Sequence, residues 1–146
     1  MNLPEYITKD EVRRICRELG LGDWTAMGDS GVDSREARVV LDLVNTAGMD
    51  IDPEAFRTGL EVELEHGTRF PDANVTNNHP VLTGLIVLAH LKESLDYYLL
   101  LDVAELEGDL LKAVARGDAV KTKVYYTRLA KARIALRQAE LSRLEK

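Results

Sequence analysis

The sequence predicts an all-α protein: a compact helical bundle of about five helices with a long C-terminal helix. Three observations predict it. Leu, Ala, Glu, Lys and Arg dominate a chain that is 45% hydrophobic and 30% charged, with only 5% aromatic residues and four prolines, and straight-chain side chains lose little rotamer freedom in a helix. Alternating, strand-like runs are scarce, whereas apolar residues recur three and four positions apart. Cap residues bracket most of those periodic stretches.

Taken in order, Thr8 stands as an N-cap with Glu11 in the capping-box position, and Val12, Ile15, Cys16 and Leu19 follow at helical spacing until Gly20 and Gly22. The first helix is expected over 9–19. Residues 23–33 hold Gly28, Asp29, Ser30, Gly31 and Asp33 and predict a loop. Ser34 caps a second helix over 35–47, with Ala37, Val40, Leu41 and Val44 on one face. Asp52-Pro53 opens a third over 53–66, which Gly67 stops. A polar loop follows over 68–79. Pro80 then opens the fourth and longest central helix, running to about Leu111 with Gly108 as the place for an interruption. Gly117-Asp118 makes a turn and cap for a fifth helix over 119–145, where Tyr125, Leu129, Ala132, Leu136 and Ala139 form a weak coiled-coil-like seam.

At 146 residues the chain has the length of one domain, able to bury roughly 70% of the surface its unfolded form exposes. A single helical domain over 1–146 is therefore expected. The lone cysteine, Cys16, falls on the apolar face of the first helix and reads as core. The most apolar stretch, Val81 to Leu101, carries His90, Lys92, Glu93 and Asp96, which are costly in hydrocarbon. No membrane association is expected, and the absence of a signal-like N-terminus suggests a cytoplasmic protein, or a virion-associated one if phage-encoded. No Gly-x-Ser-x-Gly elbow, Walker A loop or dinucleotide fingerprint occurs, so no catalytic residue is named.

The net charge of −6 conceals an asymmetry: residues 1–117 hold 11 Lys/Arg against 22 Asp/Glu, and residues 118–146 hold 8 against 3. The last helix presents Lys121, Lys123, Arg128, Lys131, Arg133, Arg137 and Arg143. Such a helix can meet phosphates, but the acidic remainder of the chain or of a second copy is the nearer counterpart. Self-association or a protein partner is favoured over nucleic acid. The Tyr97-Tyr98 and Tyr125-Tyr126 pairs offer at most one ring per helix face, so they predict packing rather than base stacking.

Chemistry concentrates on the third and fourth helices. Phe56, Leu60 and Leu64 share a face with Glu63 beside them, while Glu61 and Glu65 point well away; His66 lies at the margin of that face, at i+3 from Glu63. On the fourth helix, Leu82, Ile86, Ala89, His90, Glu93 and Tyr97 share a stripe, and leucines cover most of the rest. Burial of His90 and Glu93 would demand a partner for each. Glu63, His66, His90 and Glu93 are thus candidate ligands for a divalent transition metal, with zinc, iron or manganese suited to the donor set. The spacing echoes carboxylate-bridged bundles, although the second pair is reversed as His90-x-x-Glu93. The alternative is a satisfied polar pair that fixes helix packing.

The run Phe56-Arg57-Thr58-Gly59-Leu60-Glu61-Val62-Glu63-Leu64-Glu65-His66-Gly67, then Asn74-Val75-Thr76, then Leu88-Ala89-His90-Leu91-Lys92-Glu93 with Asp96-Tyr97-Tyr98, resembles a family of short uncharacterised proteins of bacteria, archaea and phages known only as a domain of unknown function. The resemblance covers residues 51–101, and Gly20-Leu21-Gly22-Asp23-Trp24 is similar to that family's N-terminal segment. It implies a signature at Glu63, Glu65, His66, Asn74, Thr76, His90, Glu93, Asp96, Tyr97 and Tyr98 and no activity. Against that pattern, residues 25–50 look like an insertion and the basic helix 118–146 looks appended.

Overall fold

The computed structural model describes residues 6–27, 31–69 and 73–145, without the side chains of residues 66–69. Six α-helices and one 3-10 turn make up the described secondary structure: α1 (Lys9–Leu19), the 3-10 turn (Trp24–Ala26), α2 (Ser34–Val44), α3 (Pro53–Arg69), α4 (Pro80–Glu93), α5 (Tyr97–Ala115) and α6 (Ala119–Leu144). The all-α class and the long last helix are as the composition predicts. The chain divides into two compact units, the first ending at Lys92 and the second beginning at Glu93.

In the first unit, α1 begins and ends where expected. Thr8 Oγ1 accepts from Glu11 N at 3.1 Å, and Gly20 takes the left-handed conformation at φ 68° that lets Leu21 N reach Cys16 O. Glu11 does not return the capping-box bond. Its carboxylate is taken by Arg14 at 2.6 and 2.8 Å.

Two boundaries differ from expectation. The cap of α2 is Asp33, whose side chain accepts from Arg35 N, and Ser34 is already helical. The helix ends at Val44 rather than 47 because the Asn45 side chain brackets Met49, donating to its carbonyl at 2.8 Å and accepting from its N–H at 3.0 Å. α3 opens on Asp52, whose carboxylate accepts from Ala55 N, and runs through Gly67 to Arg69, so Gly67 does not stop it. Of the two expected loops, residues 28–30 and 70–72 lie outside the described residues.

The fourth helix of the sequence analysis is two helices. It breaks at Ser94–Asp96, not at Gly108, which sits inside α5 without interruption. Ser94 Oγ accepts from Asp96 N and Ser94 O from Tyr97 N, so this short polar segment satisfies its own backbone locally and turns the chain.

The core of the first unit contains Val12, Cys16, Trp24, Val40, Leu41, Val44, Phe56, Leu60, Val87 and Leu91, all nearly or wholly buried. α2 supplies three of these, so the segment that looked like an insertion is part of that core. α4 docks through Gly84: a Cβ there would lie 2.5 Å from Val40 Cγ1, 3.4 Å from Val44 Cγ1 and 3.6 Å from the Phe56 ring. Only the missing side chain allows this approach.

In the second unit, Gly117 at φ 67° and the Asp118 cap return the chain so that α6 runs back along α5. The seam joins Leu106 to Leu129 and Ala132, with Val103, Leu110 and Tyr125 at its edges, and Leu136 continues it. This is the 125–129–132–136 spacing of the sequence. Arg143 grips the nearly buried Asp96 carboxylate at the open end, and Arg133 Nη2 meets Glu107 Oε1 at 2.6 Å midway.

Gly84→Ala should destabilise the protein, because an overpacking cost of about 1–3 kcal/mol outweighs the roughly 1 kcal/mol gained in helix propensity. Val40→Ala made in the Gly84→Ala background should cost less than Val40→Ala alone. Urea denaturation of the four members of this cycle checks it; strictly additive costs would show that the contact is slack.

Candidate functional site

The α3 row Phe56, Leu60 and Leu64 is buried as the periodicity requires. Glu63 rides on its flank, with a side chain only 11% exposed. From α4, His90 Nε2 approaches Glu63 Oε1 at 3.5 Å, the imidazole side chain being 29% exposed. A half-shielded imidazole beside a well-shielded carboxylate forms an ion pair when the ring is protonated.

The other two expected ligands fare differently. His66 lies within α3, but its side chain is outside the described residues. Glu93, the last residue of α4, is exposed, which overturns its expected burial. α4 buries Pro80, Thr83, Gly84, Val87, Leu88 and Leu91, not the stripe containing Ala89 and Glu93; Ala89 is exposed and Leu82, Ile86 and His90 are half-buried. The physical reason is that α4 is apolar nearly all round, so periodicity cannot choose a face, and the Gly84 contact with Val40 does. Among the described residues, no group of three or more His, Cys, Asp and Glu side chains gathers as a metal site.

Several polar residues outside the expected ligand set hold the unit together. Glu36 accepts from Trp24 Nε1 at 2.9 Å and from Gly22 N at 2.6 Å. Glu61, expected to point away from the core, accepts from Val32 N at 3.0 Å while pairing with Arg57 at 2.5 Å. Asn74 Oδ1 accepts from Thr76 N and Asn77 N, closing the 74–79 loop on itself. Asn77 and Asn78 both take positive φ, 47° and 62°, a conformation asparagine tolerates better than most residues. From there Asn77 Nδ2 donates to Ile7 O at 2.6 Å and Asn78 Nδ2 to Trp24 O at 3.1 Å. Asn78 is 2% exposed and its Oδ1 has no hydrogen-bond partner. The buried indole was the available signal: a Trp N–H taken from water needs an acceptor, and Glu36 is a polar residue on the helix that follows.

His79 completes the loop. Its Nδ1 faces Leu82 N at 3.4 Å, in the first turn of α4, and burial pushes its pKa below the ordinary histidine value, opposed by Glu11 and reinforced by Arg14. Asn74 and Thr76, two of the signature positions, are therefore architectural here, as is Asp96 under Arg143. Tyr97 and Tyr98 meet edge to face with ring centroids 5.2 Å apart, and Tyr98 is buried.

A family model matches residues 12–107 and is described as a protein of unknown function (DUF5661). No curated protein and no solved structure matches the chain. The matched span takes in the whole of α2, and α6 lies beyond it.

The His79 environment sets a pH dependence. Because the folded state holds the imidazole neutral more strongly than the unfolded chain does, the folded state binds fewer protons. This contribution is fully present above the unfolded pKa of about 6.5 and is lost as pH falls through the lower folded value. Chemical denaturation between about pH 7.5 and about pH 4.5, a window that spans the histidine range, should show less of this fall for His79→Asn than for the wild type. Equal slopes for the two would remove His79 as a contributor.

Proposed function

The chain belongs to the DUF5661 family of proteins of unknown function, matched over residues 12–107, and we propose that it is a non-enzymatic assembly module that self-associates through its C-terminal helix. The observation that carries this reading is the distribution of exposed apolar side chains. Nine of the fifteen large exposed hydrophobics among the described residues fall on α5 and α6: Leu100, Leu111, Val114, Val120, Val124, Tyr126, Ile134, Leu141 and Leu144. The hairpin already has its own buried seam, so these are additional apolar surface, and concentrated apolar surface on a small protein marks an interaction site. No helix among the described residues is long and apolar enough to cross a membrane, which removes a lipid-spanning role for them.

Sedimentation velocity at rising concentration should give a mass above 16.3 kDa, reduced by Tyr126→Glu with Leu144→Glu. A constant 16.3 kDa across the range would overturn self-association.

A second reading rests on the approach of His90 to Glu63. A carboxylate shielded to 11% and an imidazole 3.5 Å from it provide two donors of the kind that hold zinc, iron or manganese, and His66 follows Glu63 one helical turn later. Native mass spectrometry should then find near-stoichiometric metal that disappears in the His66→Ala, His90→Ala variant; natively purified protein free of metal would end this reading.

A further inference from the structure

The exposed apolar residues of the hairpin fall into rows. On α5, Leu100, Ala104, Glu107, Leu111 and Val114 are spaced four, three, four and three apart and every one is exposed. On α6, Ala119, Tyr126, Ala130, Arg133, Arg137 and Leu144 lie along a second row of the same pitch, also exposed. The Glu107–Arg133 ion pair spans the two helices and places both rows on one side of the hairpin. That side carries Leu111 at 70%, Val114 at 56%, Tyr126 at 64% and Leu144 at 85% exposure. It has the pattern of a coiled-coil seam, with no helix against it among the described residues.

Charge selects the occupant. On this side the α5 row carries one charge, Glu107, whereas the α6 row carries Arg133 and Arg137. Two α6 helices laid together would repel, and so would two α5 helices; α6 on α5 attracts. A second hairpin related by a two-fold axis parallel to the helices satisfies this, because it places each α6 on the α5 of the other copy, antiparallel to it. Leu111 and Val114 then cover Tyr126 and Ala130, and Glu107 reaches the Arg133–Arg137 stretch of the other chain. All neighbouring helices run antiparallel, as in an up-and-down four-helix bundle.

Resting on self-association as proposed above, we infer that the partner of this face is a second copy of the chain, docked as a two-fold four-helix bundle in which α5 of each copy packs on α6 of the other. With 19 residues in α5, the face is roughly 28 Å long and about 20 Å wide, about 560 Å² in projection, at the small end beside the ~800 Å² per partner of a standard specific interface. The same surface is closed and self-complementary, so assembly stops at two rather than growing into filaments.

The test uses the full chain. Sedimentation equilibrium should give twice 16.3 kDa, and Leu111→Glu with Val114→Glu, both exposed and outside the seam, should raise the dissociation constant roughly thirtyfold or more with helical circular dichroism unchanged. Chains carrying Glu107→Arg and chains carrying Arg133→Glu should each dimerise poorly alone and pair when mixed, because only the mixed dimer sets opposite charges across both contacts. A dimer indifferent to the Leu111→Glu, Val114→Glu pair, or charge variants that do not pair on mixing, would overturn this arrangement while leaving self-association through α6 standing. A mass of 16.3 kDa at every concentration would overturn both.

Discussion

The contact between Gly84 and Val40 governs much of the first unit. α4 is rich in leucine, isoleucine and valine around its whole circumference, and a helix of that kind has no intrinsic preference for which side it buries. The absent Cβ at Gly84 lets α4 come against Val40, Val44 and Phe56 at a distance no other residue would permit. Once that face is inward, Thr83, Val87, Leu88 and Leu91 follow it and Glu93 goes to solvent. His90 is left at the margin, where it finds the Glu63 carboxylate. The rotation of one helix thus decides which of the expected ligands meet, and a single missing methyl group sets that rotation.

A second constraint is polar. Trp24 is wholly buried, and its indole N–H and its carbonyl both need partners away from water. Glu36 supplies the acceptor and Asn78 the donor, so residues from the second helix and from the loop before α4 converge on one tryptophan. Asn77 extends the same loop to Ile7 beside the start of α1. These bonds explain why a stretch rich in asparagine sits between α3 and α4: two consecutive positive-φ residues with amide side chains can reverse the chain and still satisfy distant backbone groups. In the described part of this loop, the asparagine amides are engaged with backbone groups.

How much was legible in the sequence follows from how local each signal is. Caps built from one residue and its neighbour, such as Thr8, Asp52 and Asp118, could be found, and the α6 seam could be found because alanine and leucine stand out against charge. The Asn45–Met49 bracket, the Ser94–Asp96 break and the shift of the α2 cap to Asp33 depend on side chains competing with the helix for backbone partners, a competition that spacing does not report. The face of α4 was illegible for a different reason: its deciding contact is with α2, 44 positions earlier in the chain. The shielding of Glu63 was legible because the α3 periodicity is unambiguous. Glu93 was misplaced because it inherited the wrong face.

The basic last helix illustrates how charge and apolar surface must be weighed together. A phosphate-binding helix would gather its cations along one stripe, but Lys121, Lys123, Arg128, Lys131, Arg133, Arg137 and Arg143 are distributed around α6. Three of them are engaged with carboxylates, Arg133 with Glu107, Arg137 with Glu140 and Arg143 with Asp96. Arg143 neutralises a carboxylate that is only 9% exposed, so it closes the end of the hairpin where Asp96 turns the chain into α5. Arg133 stands in the middle of an otherwise mixed apolar row, paired to the acidic helix beside it. Cations arranged this way hold α6 against the acidic α5 beside it and close the end of the hairpin, without gathering into a phosphate-binding stripe.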